Sequence, residues 1–289
     1  MKRIAWFGTG LMGAAFVQGL RARGHEVVVW NRTPEKAVAL EQFGARAVSD
    51  AREAARGADR VHIMVSDDAA VDALLANIAG AIERDAIVID HSTVAPGPTA
   101  KRFESMQTHG IAFLHAPVFM SPTGAREGNG IMLACGPEDV YATVRDELAE
   151  MAKDLWYLGD APAKAATLKL LGNQMLIFVV AGLADGLAMA GSAGVSPADA
   201  LALFERFKIQ GGLEFRAKKM VAHDYSALFE LSMARKDVRL MLETAAAGNT
   251  ELHVLPAIAA RMDELIADGH GQEDLAALGI ESVPVESTV

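Results

Sequence analysis

Ile4-Ala5-Trp6-Phe7-Gly8-Thr9-Gly10-Leu11-Met12-Gly13 reads as a short apolar strand running into a G-x-G-x-x-G turn, and residues 14–23 continue as a helix. Residues 27–30, Val-Val-Val-Trp, make a second strand that ends in Asn31-Arg32-Thr33. The three glycines have separate tasks: a tight turn, close backbone approach to a pyrophosphate, and close packing of helix on strand. The phosphates would sit on the helix N-terminus. A strand before and a helix after are the context that gives this motif its weight. The stretch therefore predicts dinucleotide binding through Gly8, Thr9, Gly10, Leu11, Met12 and Gly13. About twenty residues on, an NAD site places Asp or Glu on the ribose hydroxyls. Here Asn31 and Arg32 fill that slot, a neutral–cationic pair suited to a 2′-phosphate, and the expected cofactor is NADP. The competing readings are a glycine turn of another doubly wound fold and a solvated Arg32, with Glu35 near enough to serve as the acidic residue.

A chain of 289 residues with 51% hydrophobic content can bury a substantial core in one large domain or, more naturally, two. Its net charge of −10 disfavours nucleic acid as a partner, because a phosphate backbone demands a basic face. Met1-Lys2-Arg3 leads directly into the first strand, with no charged-then-apolar leader, so a cytoplasmic protein is expected. The single cysteine, Cys135, excludes intrachain disulfides and cysteine-rich metal sites; no metal is expected. The most apolar run, 175–183, is shorter than the roughly twenty residues a bilayer span requires. It is followed by Asp185, and a buried helix rather than a membrane segment is expected there.

Strand candidates recur at 4–7, 27–30, 61–65, 87–90, 111–114 and 131–135, with helix-like segments between several of them, as at 14–23, 34–43 and 69–79. That rhythm predicts an α/β fold: an N-terminal Rossmann domain with a doubly wound, mostly parallel sheet. Past about Gly159 the strand signals stop. Helices are expected at 163–193, 197–207, 213–222, 228–247 and 254–267, with Ser196-Pro197 as a helix start and Gly211-Gly212 as a breaker. The domains are therefore drawn at 1–162, binding the cofactor, and 163–289, all-helical and joined through a long helix. A helix as long and apolar as 163–193 needs more than one neighbour, and a homodimer or homotetramer through the helical domain is expected. The tail, 282–289, reads as frayed or loosely docked.

Lys169 and Asn173 lie four apart on that helix and share one face. The face continues through Leu176, Ile177 and Val180, so the ammonium either snorkels out or serves a site. Burial would lower its pKa and make it a usable proton donor and acceptor. The plain alternative is a surface lysine near a helix start, like Lys164. Asp90-His91-Ser92-Thr93 follows the fourth strand candidate at the carboxyl end of the sheet, where such sheets bind ligands. It also reads as a capped turn before Pro96. His91 and His115 are each isolated in sequence, and no His pair has helical metal-ligand spacing. Lys236-Asp237 on its own is a solvated charge pair.

Together these motifs resemble the β-hydroxyacid dehydrogenase family, which includes 3-hydroxyisobutyrate dehydrogenases and glyoxylate or succinic semialdehyde reductases. The resemblance covers nearly the whole chain in the right order: the turn at 8–13, Asp90-His91-Ser92-Thr93-Val94-Ala95-Pro96 as D-x-S-T-x-x-P, Lys169 to Asn173 as K-x-x-x-N, and Phe229 through Lys236-Asp237. It implies a second domain like that of 6-phosphogluconate dehydrogenase. Lys169 would be the proton relay, with Asn173 positioning it and the substrate. Ser92 would line the substrate, and Val65, Ser66, Thr93 and Lys236 would touch the cofactor, with Asn31, Arg32 and Thr33 as the clamp on a 2′-phosphate. In the reductive direction Lys169 would protonate the developing alkoxide, a general-acid contribution of roughly two to four orders of magnitude.

One segment departs from the family. Its usual D-x-P-V-S-G-G, whose Ser-Gly-Gly cradles a carboxylate, is here His115-Ala116-Pro117-Val118-Phe119-Met120-Ser121. Two flexible glycines are lost and bulk is added. Phe119, Met120, Ser121 and Thr123 are thus the substrate-side candidates, and a larger or less acidic carbonyl compound than the small hydroxy acids is an open alternative. An imine reductase is a second reading: the altered segment favours it, but relatives of that kind usually carry Asp or Tyr where Lys169 stands. A non-catalytic nucleotide-binding scaffold is a third, and retention of the lysine speaks against it.

Overall fold

The computed structural model describes residues 2–283, so the tail expected to be loose lies, from residue 284 on, outside the described residues. Strands and helices alternate through the first half: β1 (Arg3–Phe7), α1 (Leu11–Ala22), β2 (Glu26–Trp30), α2 (Pro34–Val38), β3 (Arg46–Ala47), α3 (Ala51–Ala55), β4 (Arg60–Ile63), α4 (Asp68–Ile78), β5 (Ile87–Asp90), α5 (Pro96–Thr108) and β6 (Ala112–His115). They build a sheet in the order β3-β2-β1-β4-β5-β6, with every neighbouring pair parallel. Such a sheet is covered on both faces, which explains why β4 and β5 are buried at every position. Successive residues point to opposite faces. Trp6, Val29, Ile89 and Leu114 enter one core with Phe16 and Leu148, whereas Phe7, Val28, Ile63 and Val88 enter the other with Val71 and Leu75. The strand order reverses between β1 and β4, and the crevice outside their carboxyl ends is where such sheets take ligands.

The chain then builds β7 (Val118–Phe119), α6 (Pro122–Glu127), β8 (Ile131–Ala134), α7 (Glu138–Met151) and β9 (Asp154–Tyr157). These strands form a second sheet, β7-β8-β9, in which β7 and β8 are antiparallel. The strand expected at 131–135 therefore belongs to this small sheet, because an antiparallel bridge between His115 and Cys135 folds the chain back on itself. The sixth strand of the main sheet is instead β3, at one edge, two residues long and too short to leave a pattern. Half-exposed β9 likewise carried no readable signal.

Helices α8 (Lys164–Ser192), α9 (Pro197–Arg206), α10 (Gln210–Val221), α11 (Leu231–Ala247) and α12 (Leu255–Ala267) complete the described chain. It divides into two compact units, Met1–Gln174 and Met175–Val289. The division falls inside α8, because Ala165 packs into a cluster with Leu133, Cys135 and Leu158. The first turns of α8, with Lys169 and Asn173, are thus part of the sheet unit. Ser196 caps α9 by accepting from the Asp199 N–H, with Pro197 at the helix start. Gly211-Gly212 is not a breaker. Both residues sit in the first turn of α10, and the chain leaves helical geometry earlier, at Phe207.

In the helical unit, α11 and α12 close a small core around Leu231, Val238, Met262 and Leu265. Asp185 of α8 is buried and accepts from the His253, Val254 and Leu255 N–H groups at the start of α12. The expectation that 175–183 is buried is corrected within this chain: Leu176 and Ile177 are 62% and 64% exposed. A helix apolar all round has more surface than so small a core can cover. By length and composition alone, α8 is also long and apolar enough to cross a membrane.

Candidate functional site

The turn after β1 shows why its glycines are required. Gly8 has φ +95°, and a Cβ there would overlap the Met64 carbonyl oxygen; a Cβ on Gly13 would overlap the Gly8 carbonyl oxygen. A Cβ on Gly10 meets nothing. The turn is braced from below: Trp6 Nε1 donates to Gly8 O (2.9 Å), the Gly8 N–H to Trp30 O (3.1 Å) and the Thr9 N–H to Asn31 Oδ1 (3.0 Å). Helix α1 therefore starts beside open space, where its first-turn N–H groups have no intrahelical acceptors and favour an anion.

That space is a cavity of about 640 Å³. Of the residues read from sequence, Gly8, Gly10, Leu11, Met12, Gly13, Asn31, Arg32, Thr33, Val65 and Ser66 line it. Thr9 is buried beneath the turn, and Thr93 is exposed but not in the lining. Asn31 acts as a brace, accepting from Thr9 and donating to Thr33 O (2.9 Å). Lys36, Ala70, Leu74 and Asn77 also line the cavity and were not anticipated. Lys36 was in principle readable, standing one turn beyond Thr33-Pro34; the α4 residues carry no motif. No described residue in the lining is acidic.

A second cluster surrounds Lys169, which is 9% exposed. Its Nζ donates to Val118 O (2.7 Å) on β7 and to Asn173 Oδ1 (3.0 Å) on its own helix. Because lysine is only a donor, the Asn173 amide must turn its oxygen to it, and its NH₂ is what it can offer a bound molecule. The Phe119 ring lies 4.0 Å from Nζ. Burial pulls the lysine pKa below its ordinary value. Ser121 is not an open hydroxyl: it caps α6 by accepting from the Gly124 N–H (3.1 Å). Thr123 accepts from Arg126 at 3.2 Å, and Met120 is half-buried. Lys236 lies on α11 in the helical unit, exposed and paired with Asp237 at 2.9 Å.

Between the clusters runs the turn after β5. Ser92, 1% exposed, accepts from the Val65 N–H (3.0 Å) at the cavity wall, and its own N–H donates to Asp90 Oδ1 (2.9 Å). The histidines isolated in sequence are brought together here. His62 Nδ1 and His91 Nε2 are 2.9 Å apart, and His91 Nδ1 bonds Ala116 O (2.7 Å), two residues before the carbonyl that holds Lys169. His115 Nδ1 stands 3.9 Å from Asp90 Oδ2. Trp6 stacks on both His62 and His91. Burial holds His62 well below its ordinary pKa, His91 down to about 4 and His115 down to about 3, and pushes the Asp90 carboxyl up to about 6. Among the described residues, no group of His, Cys, Asp and Glu has metal-holding geometry.

A glycine turn of this geometry over a cavity, at the reversal point of a parallel sheet, defines a dinucleotide-binding Rossmann protein. Residues 3–159 match the NAD-binding domain of 6-phosphogluconate dehydrogenase, and residues 163–279 match the NAD-binding domain of NADP-dependent 3-hydroxyisobutyrate dehydrogenase. The chain belongs to the 3-hydroxyisobutyrate dehydrogenase family of NAD(P)-dependent oxidoreductases. Among its relatives, an uncharacterized oxidoreductase of Shewanella frigidimarina is 30% identical over 260 residues, covering 88% of this chain and 89% of the relative. The 3-hydroxyisobutyrate dehydrogenase of Pseudomonas aeruginosa is 29% identical over 261 residues, 86% of each chain. An imine reductase from Myxococcus stipitatus, solved with NADP⁺, has the same fold with a TM-score of 0.88 at 20% identity, covering 95% of this chain and 98% of its own.

The buried titratable row makes a pH prediction. The three rings stay neutral when folded but protonate below about pH 6.5 when unfolded, so acid favours unfolding. Asp90 works the other way: its raised pKa adds stability at low pH that is lost as pH rises through about 6. Three rings outweigh one carboxyl, and their net contribution grows from pH 4 to 6.5. Replacing His115 by Leu removes one ring that has no hydrogen-bond partner. Thermal unfolding at stepped pH should show a shallower acid decline in His115→Leu, by up to about 1.4 kcal/mol per pH unit. Parallel curves for the two proteins would contradict the assignment.

Proposed function

We propose that the chain is an NADP(H)-dependent oxidoreductase that interconverts a small β-hydroxy acid, or a related alcohol, and its carbonyl or semialdehyde form, with Lys169 as the proton relay. The observation that carries this reading is the buried Lys169 ammonium, bonded to Val118 O and Asn173, in a chain of this family. The residues fit the cofactor: the α1 N-terminus beside Gly10 would take the pyrophosphate, and Arg32 and Lys36 would take a 2′-phosphate, in a lining whose described residues carry no carboxylate. When bound, the nicotinamide supplies or accepts the hydride.

Lys169 gives a proton to the substrate oxygen in the reductive direction and takes it back in oxidation. Burial lowers its pKa from the ordinary lysine value, which eases release of the proton. Asn173 holds the ammonium until the substrate oxygen takes its place, and its NH₂ can then donate to that oxygen. Ser92 fixes the Val65 wall of the cavity through its backbone contact rather than by reaching outward. A second reading, reduction of C=N bonds, draws support from the apolar Phe119 in the substrate segment; cyclic imines belong in the same substrate panel as semialdehydes and hydroxy acids.

We also propose that a second copy of the chain covers the exposed apolar side of α8. Asp185 supports this over a bilayer, since that carboxylate caps α12 of a packed helical unit from within the same helix. Sedimentation should give a dimer or tetramer in the absence of detergent, and a monodisperse monomer would contradict it.

Two measurements test the chemistry. Lys169→Ala should lower turnover by roughly two to four orders of magnitude while NADPH still binds; unchanged turnover would remove the lysine from the mechanism. Fluorescence titration should show NADPH bound more tightly than NADH, with the preference falling about tenfold in Arg32→Ala and in Lys36→Ala. Equal affinities in the unaltered protein would overturn the 2′-phosphate assignment.

A further inference from the structure

The Lys169 ammonium has three N–H donors and all three directions are taken: Val118 O at 2.7 Å, Asn173 Oδ1 at 3.0 Å, and the face of Phe119, its centroid 4.0 Å away. The ring is held in that position. It lies so close to Gly172, one turn beyond Lys169, that a Cβ there would overlap it, and it packs against the apolar cluster of Leu133, Cys135, Leu158 and Ala165 with Leu168. Gly172 is thus the position that admits the ring to the lysine.

A carboxylate entering this site would face the Phe119 ring beside the ammonium. The π-face of an aromatic ring is electronegative and repels an anion. Lys169 would be left as the counter-charge, and an ammonium paired with a carboxylate is held from the reacting oxygen. An apolar substituent, by contrast, packs on the ring while the substrate oxygen exchanges for the longer of the two lysine hydrogen bonds.

Resting on the reading of Lys169 as the proton relay, we infer that Phe119 is the specificity-determining residue of this site. Of the two substrate kinds proposed above it selects the alcohols and carbonyl compounds whose chain beyond the reacting carbon is uncharged and apolar, and it disfavours the acids, whose chain ends in a carboxylate.

The test compares NADPH-dependent reduction of butanal with that of succinic semialdehyde, which has the same chain length and a terminal carboxylate. The unaltered protein should favour butanal in kcat/KM. Phe119→Ser should shift the ratio toward succinic semialdehyde by about tenfold, whereas Phe119→Leu, which keeps an apolar wall, should preserve it within about threefold. Thermal melts identify any variant that has lost its fold; if Phe119→Ser has, the ratio in Phe119→Asn decides in its place. A preference for succinic semialdehyde in the unaltered protein, or an unchanged ratio in the polar variant, would overturn the inference.

If the unaltered protein reduces neither compound, the choice of carbonyl substrate has failed by itself, and the ring is judged without turnover. Acetic anhydride labelling of Lys169, followed by mass spectrometry, should then run several-fold faster in the polar variant than in the unaltered protein. Equal labelling rates would overturn the role of Phe119.

Discussion

Much of the sheet unit depends on one close approach, that of α1 to the end of β1. Gly13 lies against the carbonyl oxygen of Gly8, which also accepts from Trp6 Nε1, and neither glycine has room for a side chain. The contact sets where the helix begins, so its first-turn N–H groups open beside Gly10, a position where an added Cβ meets no protein atom. Asn31 then ties the end of β2 to the same turn through Thr9. The α1 N-terminus and the cations at Arg32 and Lys36 are thereby arranged around a single backbone corner.

The position of Lys169 depends on the same unit through a different path. Val65, in the cavity wall, bonds Ser92; the adjacent His91 bonds Ala116 O; and Val118, two residues on, accepts from the lysine. The buried row of Trp6, His62 and His91 is stacked behind this path. Removing these rings from water disfavours their charged forms, so the row stays neutral at physiological pH and serves as packing rather than as a source of protons. Lys169 differs from them in having two oxygen acceptors and a ring face around its charge, which lets an ammonium persist with only 9% exposure.

The glycine turn, the Lys169–Asn173 pair and the division into a sheet part and a helical part were legible because each leaves a local pattern: fixed spacing, a four-residue helical step, or an end to strand alternation. The fate of the segment at 131–135 was not legible. Its pattern says strand, but membership of the small sheet is decided by the His115–Cys135 bridge, a pairing between distant positions. For the same reason His91 and His115 looked isolated, since parallel strands bring them beside His62 and Asp90 without any spacing rule. Gly211-Gly212 looked like a breaker because glycine propensity does not register that a first helical turn tolerates it. Run 175–183 looked buried because apolarity marks surface that must be covered and does not say whether the same chain covers it. Replacement of Ser-Gly-Gly by Phe119-Met120-Ser121 was visible from the start; its position over Lys169 came only from the folded chain.

The central claim is that a nicotinamide dinucleotide occupies the cavity at the glycine turn, with its 2′-phosphate beside Arg32 and Lys36. Amide hydrogen exchange read by mass spectrometry, with and without NADPH, tests it most directly. Slowed exchange should be confined within the sheet unit to peptides covering 8–14, 31–36 and 64–66, the turn, the clamp and the β4 end of the cavity. Unchanged exchange in those peptides at saturating NADPH would contradict the account.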